Sequence, residues 1–274
     1  MMKKYKSLSD NKESGVSEAI GFIIMFSIVL TGIAMVTLYA YPVLLQSQIN
    51  SDERTMEQTM ISLQNEMKLL TYSNVPYRDI AVRVAGGTLD AKDSTKSKDE
   101  FILNYPNAGL SATESKSLKP GEIRFTSKEG TAVYTIENGA LLSREKFQPG
   151  SSMIARPRWY FDDSTQTLVI LLTKISADKD YYLSNIGNIQ MSMLNAPQTV
   201  DINYVALGHS TQDVTLTYTP DPDNDLSTAW ENYLTGDSFS GNRKFEKTAT
   251  VNEYKFSGVS RIVIKEYTIK IEDL

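Results

Sequence analysis

The sequence predicts an α+β chain, in which a long hydrophobic amino-terminal helix (a membrane span continuing into an amphipathic stem) is followed by an antiparallel β-rich globular head. Three observations predict it. Residues Ala19 to Tyr41 read AIGFIIMFSIVLTGIAMVTLYAY, without a single charge. The stretch after Pro42 contains no Gly or Pro before Pro76, and its apolar residues recur at helical spacing. From about Asp79 the pattern changes to short β-type runs separated by turn dipeptides.

The apolar run comes first. At 1.5 Å per residue its helix spans about 34 Å, enough to cross a hydrocarbon core. It is too long for a cleaved secretory signal, and Tyr39, Tyr41 and Pro42 make a poor small-residue cleavage site. Lys3, Lys4, Lys6 and Lys12 precede the run, whereas the first charges after it are Asp52 and Glu53. Positive flanks stay cytoplasmic, so the expected localisation is a single pass through the cell membrane with the carboxyl-terminal body outside.

The stem follows. Ile49, Met56, Met60, Leu63, Met67 and Leu70 form a near-heptad stripe, with Glu66 and the neighbouring Gln and Asn residues assigned to the other faces. A helix from Ser17 to Tyr72 would be about 84 Å long, kinked at Pro42. Methionine at three stripe positions suits packing against an irregular sheet surface better than a coiled-coil stalk or a simple spacer. The expected domains are a charged leader over 1–15, a membrane or filament-core helix over 16–42, a stem helix over 43–75 and a β-rich head over 76–274.

In the head, strands are expected at Ile80–Val84, Glu100–Tyr105, Glu122–Ser127, Ala132–Glu137, Gln166–Lys174, Ile189–Leu194, Val200–Leu207, Asp213–Tyr218 and Arg261–Ile271. Asn138-Gly139 between two apolar runs is a strong hairpin signal. Thr228-Ala-Trp-Glu231 reads as a capping box opening a short helix anchored by Trp230 and Tyr233. Residues 86–99 and 220–227 read as polar loops.

Composition excludes several chemistries. With no cysteine, disulfides, thiolate metal sites and a cysteine nucleophile are ruled out. The single histidine, His209, could join Ser210 and Asp213 in a triad on paper, but no nucleophile elbow, Walker loop, dinucleotide fingerprint or zinc-spaced set is present. No enzymatic activity and no cofactor are expected. A net charge of −5 argues against a basic nucleic-acid surface, and no Asn-x-Ser/Thr sequon occurs. Asp221, Asp223 and Asp225 have the spacing of calcium ligands, although Leu226 and Asn232 stand where an EF-hand needs Gly and Glu. The competing reading is a solvated acidic turn. Arg156-Pro-Arg158-Trp159-Tyr160-Phe161 is the densest basic-aromatic patch: either a recognition surface built on Arg156, Arg158 and Trp159, or a strand whose alternate aromatics enter the core.

Ahead of the apolar run stand Lys12-Glu13-Ser14-Gly15 and then Val16-Ser17-Glu18-Ala19-Ile20-Gly21. A charged leader ending in Gly, followed by Ser-Glu-Ala-Ile-Gly and a greasy helix, resembles the amino terminus of archaeal type IV pilins. The resemblance covers about the first 45 residues. It implies a prepilin peptidase cutting between Gly15 and Val16, and a helix that leaves the membrane for a filament core. Cleavage there would remove four lysines and two acids, taking the net charge from −5 to −7. Glu18 would set subunit register by meeting the free amine of a neighbouring subunit, because an unpaired charge in an apolar bundle is costly. Glu18 is the third residue after that bond, whereas bacterial relatives carry their acid at the fifth. The bland alternative places Glu18 in the headgroup zone, favoured by the helix dipole. The function so implied is a structural subunit, minor or specialised, of an archaeal type IV pilus-like surface filament, its head exposed for adhesion or surface interaction. Its partners would be the peptidase, other pilin subunits, the assembly platform and membrane lipid, with no nucleic acid. The alternative is a single-pass anchored extracellular binding protein that never polymerises.

Overall fold

The computed structural model describes residues 10–73, 75–145, 149–236, 239 and 243–274, without the side chains of 10–15. The chain divides into two units, Met1–Ser51 and Asp52–Leu274.

The first unit is helical. α1 (Asp10–Met35) passes into a π-helical turn, Val36–Ala40, and then into α2 (Tyr41–Tyr72). Proline explains the turn. Pro42 has no N–H to give to the carbonyl four residues back, and just upstream the ladder widens so that the Tyr41 N–H donates to Val36 O instead. The helix therefore runs through Pro42. The apolar segment buries none of its side chains within the protein and is long and apolar enough to cross a membrane. Its aliphatic hydroxyls are satisfied internally: Ser27, Thr31 and Thr37 donate to carbonyls one turn back at 2.7, 2.7 and 2.9 Å.

The second unit holds three sheets, the rest of α2 and a short helix. Its strands begin with β1 (Tyr77–Arg83), β2 (Gly87–Lys92), β3 (Glu100–Pro106), β4 (Thr113–Leu118), β5 (Glu122–Ser127) and β6 (Ala132–Glu137). Next come β7 (Ala140–Glu145), β8 (Ser152–Ala155), β9 (Tyr160–Asp162), β10 (Thr167–Ala177), β11 (Tyr181–Leu183) and β12 (Ile186–Met193). β13 (Gln198–Asn203), β14 (Gln212–Thr219), α3 (Ser227–Thr235), β15 (Glu246–Lys247), β16 (Glu253–Val259) and β17 (Arg261–Asp273) complete it. The first sheet runs β1-β12-β17-β10-β9, with β13 also on β17; the second runs β11-β2-β5-β6-β7-β8; the third runs β15-β16-β14-β3-β4. Pairing is antiparallel except between β10 and β17, the two longest strands. The β6–β7 hairpin turns on Asn138 and Gly139 at φ of 46° and 76°, the double left-handed conformation of a type I′ turn.

β10 and β17 serve two cores. At their starts Leu168, Ile170, Ile262 and Ile264 face the third sheet and α3, among Phe101, Leu216, Trp230 and Phe256. Farther along, the opposite face is buried: Ile175, Ala177, Ile269 and Ile271 lie against the α2 stripe Met56, Met60, Leu63, Met67 and Leu70, together with Leu89, Ile123 and Phe125 of the second sheet. The methionine stripe is thus a core element, and residues from Asp52 onward belong to the compact unit.

Several local expectations need correction; the strand expected at Val200–Leu207 ends at Asn203, and 204–207 form a turn. Gln64, assigned to a solvent face, is buried among the stripe, and its Nε2 donates to Gly139 O at 2.8 Å and Arg156 O at 3.3 Å. Residues 86–99 are not a loop throughout: β2 buries Leu89 and Ala91 between polar neighbours, and Ser94–Lys96 form a 3-10 turn whose Thr95 N–H is capped by Asp93. The capping box is not formed. α3 starts at Ser227 without a side-chain cap from Leu226. Asp225 Oδ1 accepts from the Ser227 N–H, Ser151 Oγ accepts from the Ala229 N–H, and Glu231 binds Lys247 instead of reaching back.

Candidate functional site

The basic-aromatic patch splits along its strand period. Trp159 and Phe161 are buried in the core, with the Trp159 indole N–H donating to Leu171 O at 2.8 Å. Trp159 is therefore a core residue, a correction to its place in a recognition surface. Arg156, Arg158 and Tyr160 alternate with them and are exposed.

What lies beside those residues follows from where α2 ends. Across the β10–β17 pair, Thr167, Val169 and Leu171 stand opposite Arg261, Val263 and Lys265. Tyr160 and Asp162 of β9 extend the row beside Val169 and Thr167. The same face is covered by α2 farther along these strands, but the helix stops at Tyr72, so here the face opens. The result is a groove of about 560 Å³ walled by Tyr72, Arg158 and Tyr267. A second depression, about 800 Å³, shares Tyr72 and Arg158 and continues along Lys68, Leu69 and Arg156.

Cations outnumber acids in the groove lining, Arg158, Arg261 and Lys265 against Asp162. The Arg158 guanidinium lies 4.6 Å from the centre of the Tyr72 ring, which also meets the edge-on ring of Tyr267 at 5.5 Å. Arg261 is held by Asp201, and Asp162 is held by the hydroxyls of Ser164 and Thr165. Lys68, Arg158 and Lys265 form no ion pair with any described residue. Lys68 lies well beyond the apolar segment. Partial burial and the repulsion of Arg158 hold its ammonium below the usual lysine range.

The acidic turn is committed elsewhere. Asp221 is buried beside Arg124 at 3.5 Å and Lys98 at 3.7 Å, Asp223 pairs with Lys98, and Asp225 caps α3. Among the described residues no three His, Asp or Glu side chains converge as metal ligands. His209 Nε2 lies 3.2 Å from Ala108 O, and Asp213 pairs with Lys255, so the paper triad is not brought together.

Sequence reasoning missed a polar seam between the second sheet and the third. One face of the second sheet carries Asp90 and Lys92, Glu122 and Arg124, Thr135 and Glu137 in register. Glu137 is fully buried, accepting from the Trp230 indole N–H at 2.5 Å and from Tyr218 Oη at 3.2 Å; its Oε2 has no partner among the described residues. Tyr218 Oη also lies 3.1 Å from Asp99 Oδ1, so a single phenolic proton serves two carboxyl groups. Burial, reinforced by the charge of Asp99, pushes the Glu137 carboxyl well above the carboxylate range. Alternation in Ala132–Glu137 was the available signal, but nothing local says that the polar face is covered.

At the other end of the chain, Val16 is 60 % exposed and Glu18 is exposed, both within α1; Gly15 lies in the same helix, and residues 1–9 of the leader fall outside the described residues. Searches against curated proteins and solved structures find no match. Residues 15–272, helix and sheets together, match one family over nearly the whole chain, and the protein therefore belongs to the Family of unknown function (DUF7289).

Proposed function

We propose that the chain is a structural subunit, minor or specialised, of an archaeal type IV pilus-like surface filament, with its β-rich unit displayed outside the cell. The observation that carries this reading is the phrase Gly15-Val16-Ser17-Glu18-Ala19-Ile20-Gly21 set directly on an apolar helix whose side chains are all exposed. A surface of that size is unstable in water and needs lipid or other copies of the same helix around it. Glu18 is exposed at the start of that run, where the amine of a neighbouring subunit could reach it.

The test is the amino-terminal sequence of membrane-purified protein, compared with a Gly15→Trp variant. A terminus at Val16, lost in the variant, supports prepilin processing. An intact leader in both, with the protein still in the membrane, leaves the anchored binding protein and removes the filament reading.

A further inference from the structure

We infer that the groove beyond the end of α2 binds an acidic saccharide, a glycan carrying uronate carboxylates. Charge comes first. The protein is net negative, yet Lys68 and Arg158 stand in and beside one groove without an ion pair among the described residues, and Lys265 on its floor feels the charge of Asp201 without pairing with it. Unpaired cations gathered at a concave surface favour an anionic occupant, and a carboxylate suits the planar fork of Arg158.

The rest of the lining narrows the class. Tyr160 is 44 % exposed on the groove side and offers a flat apolar face on which a pyranose ring can lie. Tyr72 is fixed between Arg158 and Tyr267, so the aromatic wall and its guanidinium are ordered before any ligand arrives. Thr165 and Thr167 share a hydrogen bond at 2.7 Å, and Asp162 accepts from Thr165 at the same edge. Such a rim exchanges hydrogen bonds with a ligand rich in hydroxyls, which an acidic peptide is not. The two depressions meet at Tyr72 and Arg158, giving a track longer than one sugar. The groove lies wholly within Asp52–Leu274 and borrows nothing from the filament reading.

The experiment is calorimetric titration of the full chain in detergent micelles with three probes: an oligogalacturonate, the neutral galactose oligomer of equal length, and oligoglutamate. Binding of the uronate alone is expected, weakening as salt rises. Arg158→Gln and Lys265→Gln should each weaken it about 10-fold. Lys265 lies on the open sheet face, so its variant separates lost recognition from lost packing at Tyr72; unchanged urea midpoints certify the fold. Absence of uronate binding, unchanged affinity in both variants, or equal binding of oligoglutamate would each overturn the inference, the last in favour of an acidic peptide. Gly15→Trp should bind as the wild type does, so failure here and failure of leader processing remain separate results.

Discussion

Met60→Ala tests the claim that the second half of α2 is a core element and not a stalk. Met60 is 0 % exposed and packs among Leu63, Leu89, Phe125 and Ile269 in the core beneath the helix. Truncation removes Cγ, Sδ and Cε, about three methylene equivalents, or about 2.4 kcal/mol in transfer free energy. The cavity left behind adds about 1–2 kcal/mol if the walls do not collapse, for a total of about 3–4 kcal/mol. Helix propensity changes in the opposite direction and by a few tenths only. The assay is urea unfolding of the full chain in micelles, followed by tryptophan fluorescence, since Trp159 and Trp230 are both buried in the other core. With a urea slope of about 2–3 kcal/mol/M the midpoint should fall by about 1–2 M. Because β10 and β17 run through both cores, the tryptophans should report the loss although neither touches Met60. Ile61, half-buried on the same helix, is the control, and its alanine variant should cost well under half as much. An unchanged midpoint for Met60→Ala would refute the packing argument and restore a free stem.

Other outcomes follow from the polar seam and the turns. Tyr218→Phe strips the shared hydroxyl from Asp99 and Glu137 and should cost about 1–3 kcal/mol at neutral pH, measured by the same unfolding curves. The Asp90 carboxyl is raised to about 6, chiefly by burial. The folded chain keeps this proton up to about pH 6 while the unfolded chain releases it near 4, so its contribution is complete below about pH 4 and lost as pH rises through 6. Discounted for partial exposure, that is about 1–2 kcal/mol, and Asp90→Asn should flatten the stability profile over this window. Gly121 has φ +68°, and an added Cβ would meet backbone atoms Lys92 O and Ser94 N at 2.9 Å. Gly121→Ala should therefore cost about 2–4 kcal/mol, read as a fall in thermal midpoint.

Much of this molecule is local in origin. An uncharged run of membrane length, a stripe at spacings of four and three, alternating strands and an Asn-Gly turn each need only neighbours in sequence to be recognised, and each forms the element its period dictates. The same local logic fails where burial comes from distant chain. Gln64 reads as a solvent residue because its partners, Gly139 and Arg156, lie far along the sequence. Leu89 and Ala91 look like isolated apolar residues in a polar loop until β5 pairs beside them. Asp99 and Glu137 give no sign of being buried together, since the covering layer comes from Tyr218 and Trp230. The groove is the clearest case. Alternation along 156–161 separates the arginines from Trp159 and Phe161, and so sets which side chains face outward. Lys68, Arg158 and Lys265 come to line two depressions that share Tyr72 for a tertiary reason alone: α2 ends there, and the sheet face it covers farther along is left open.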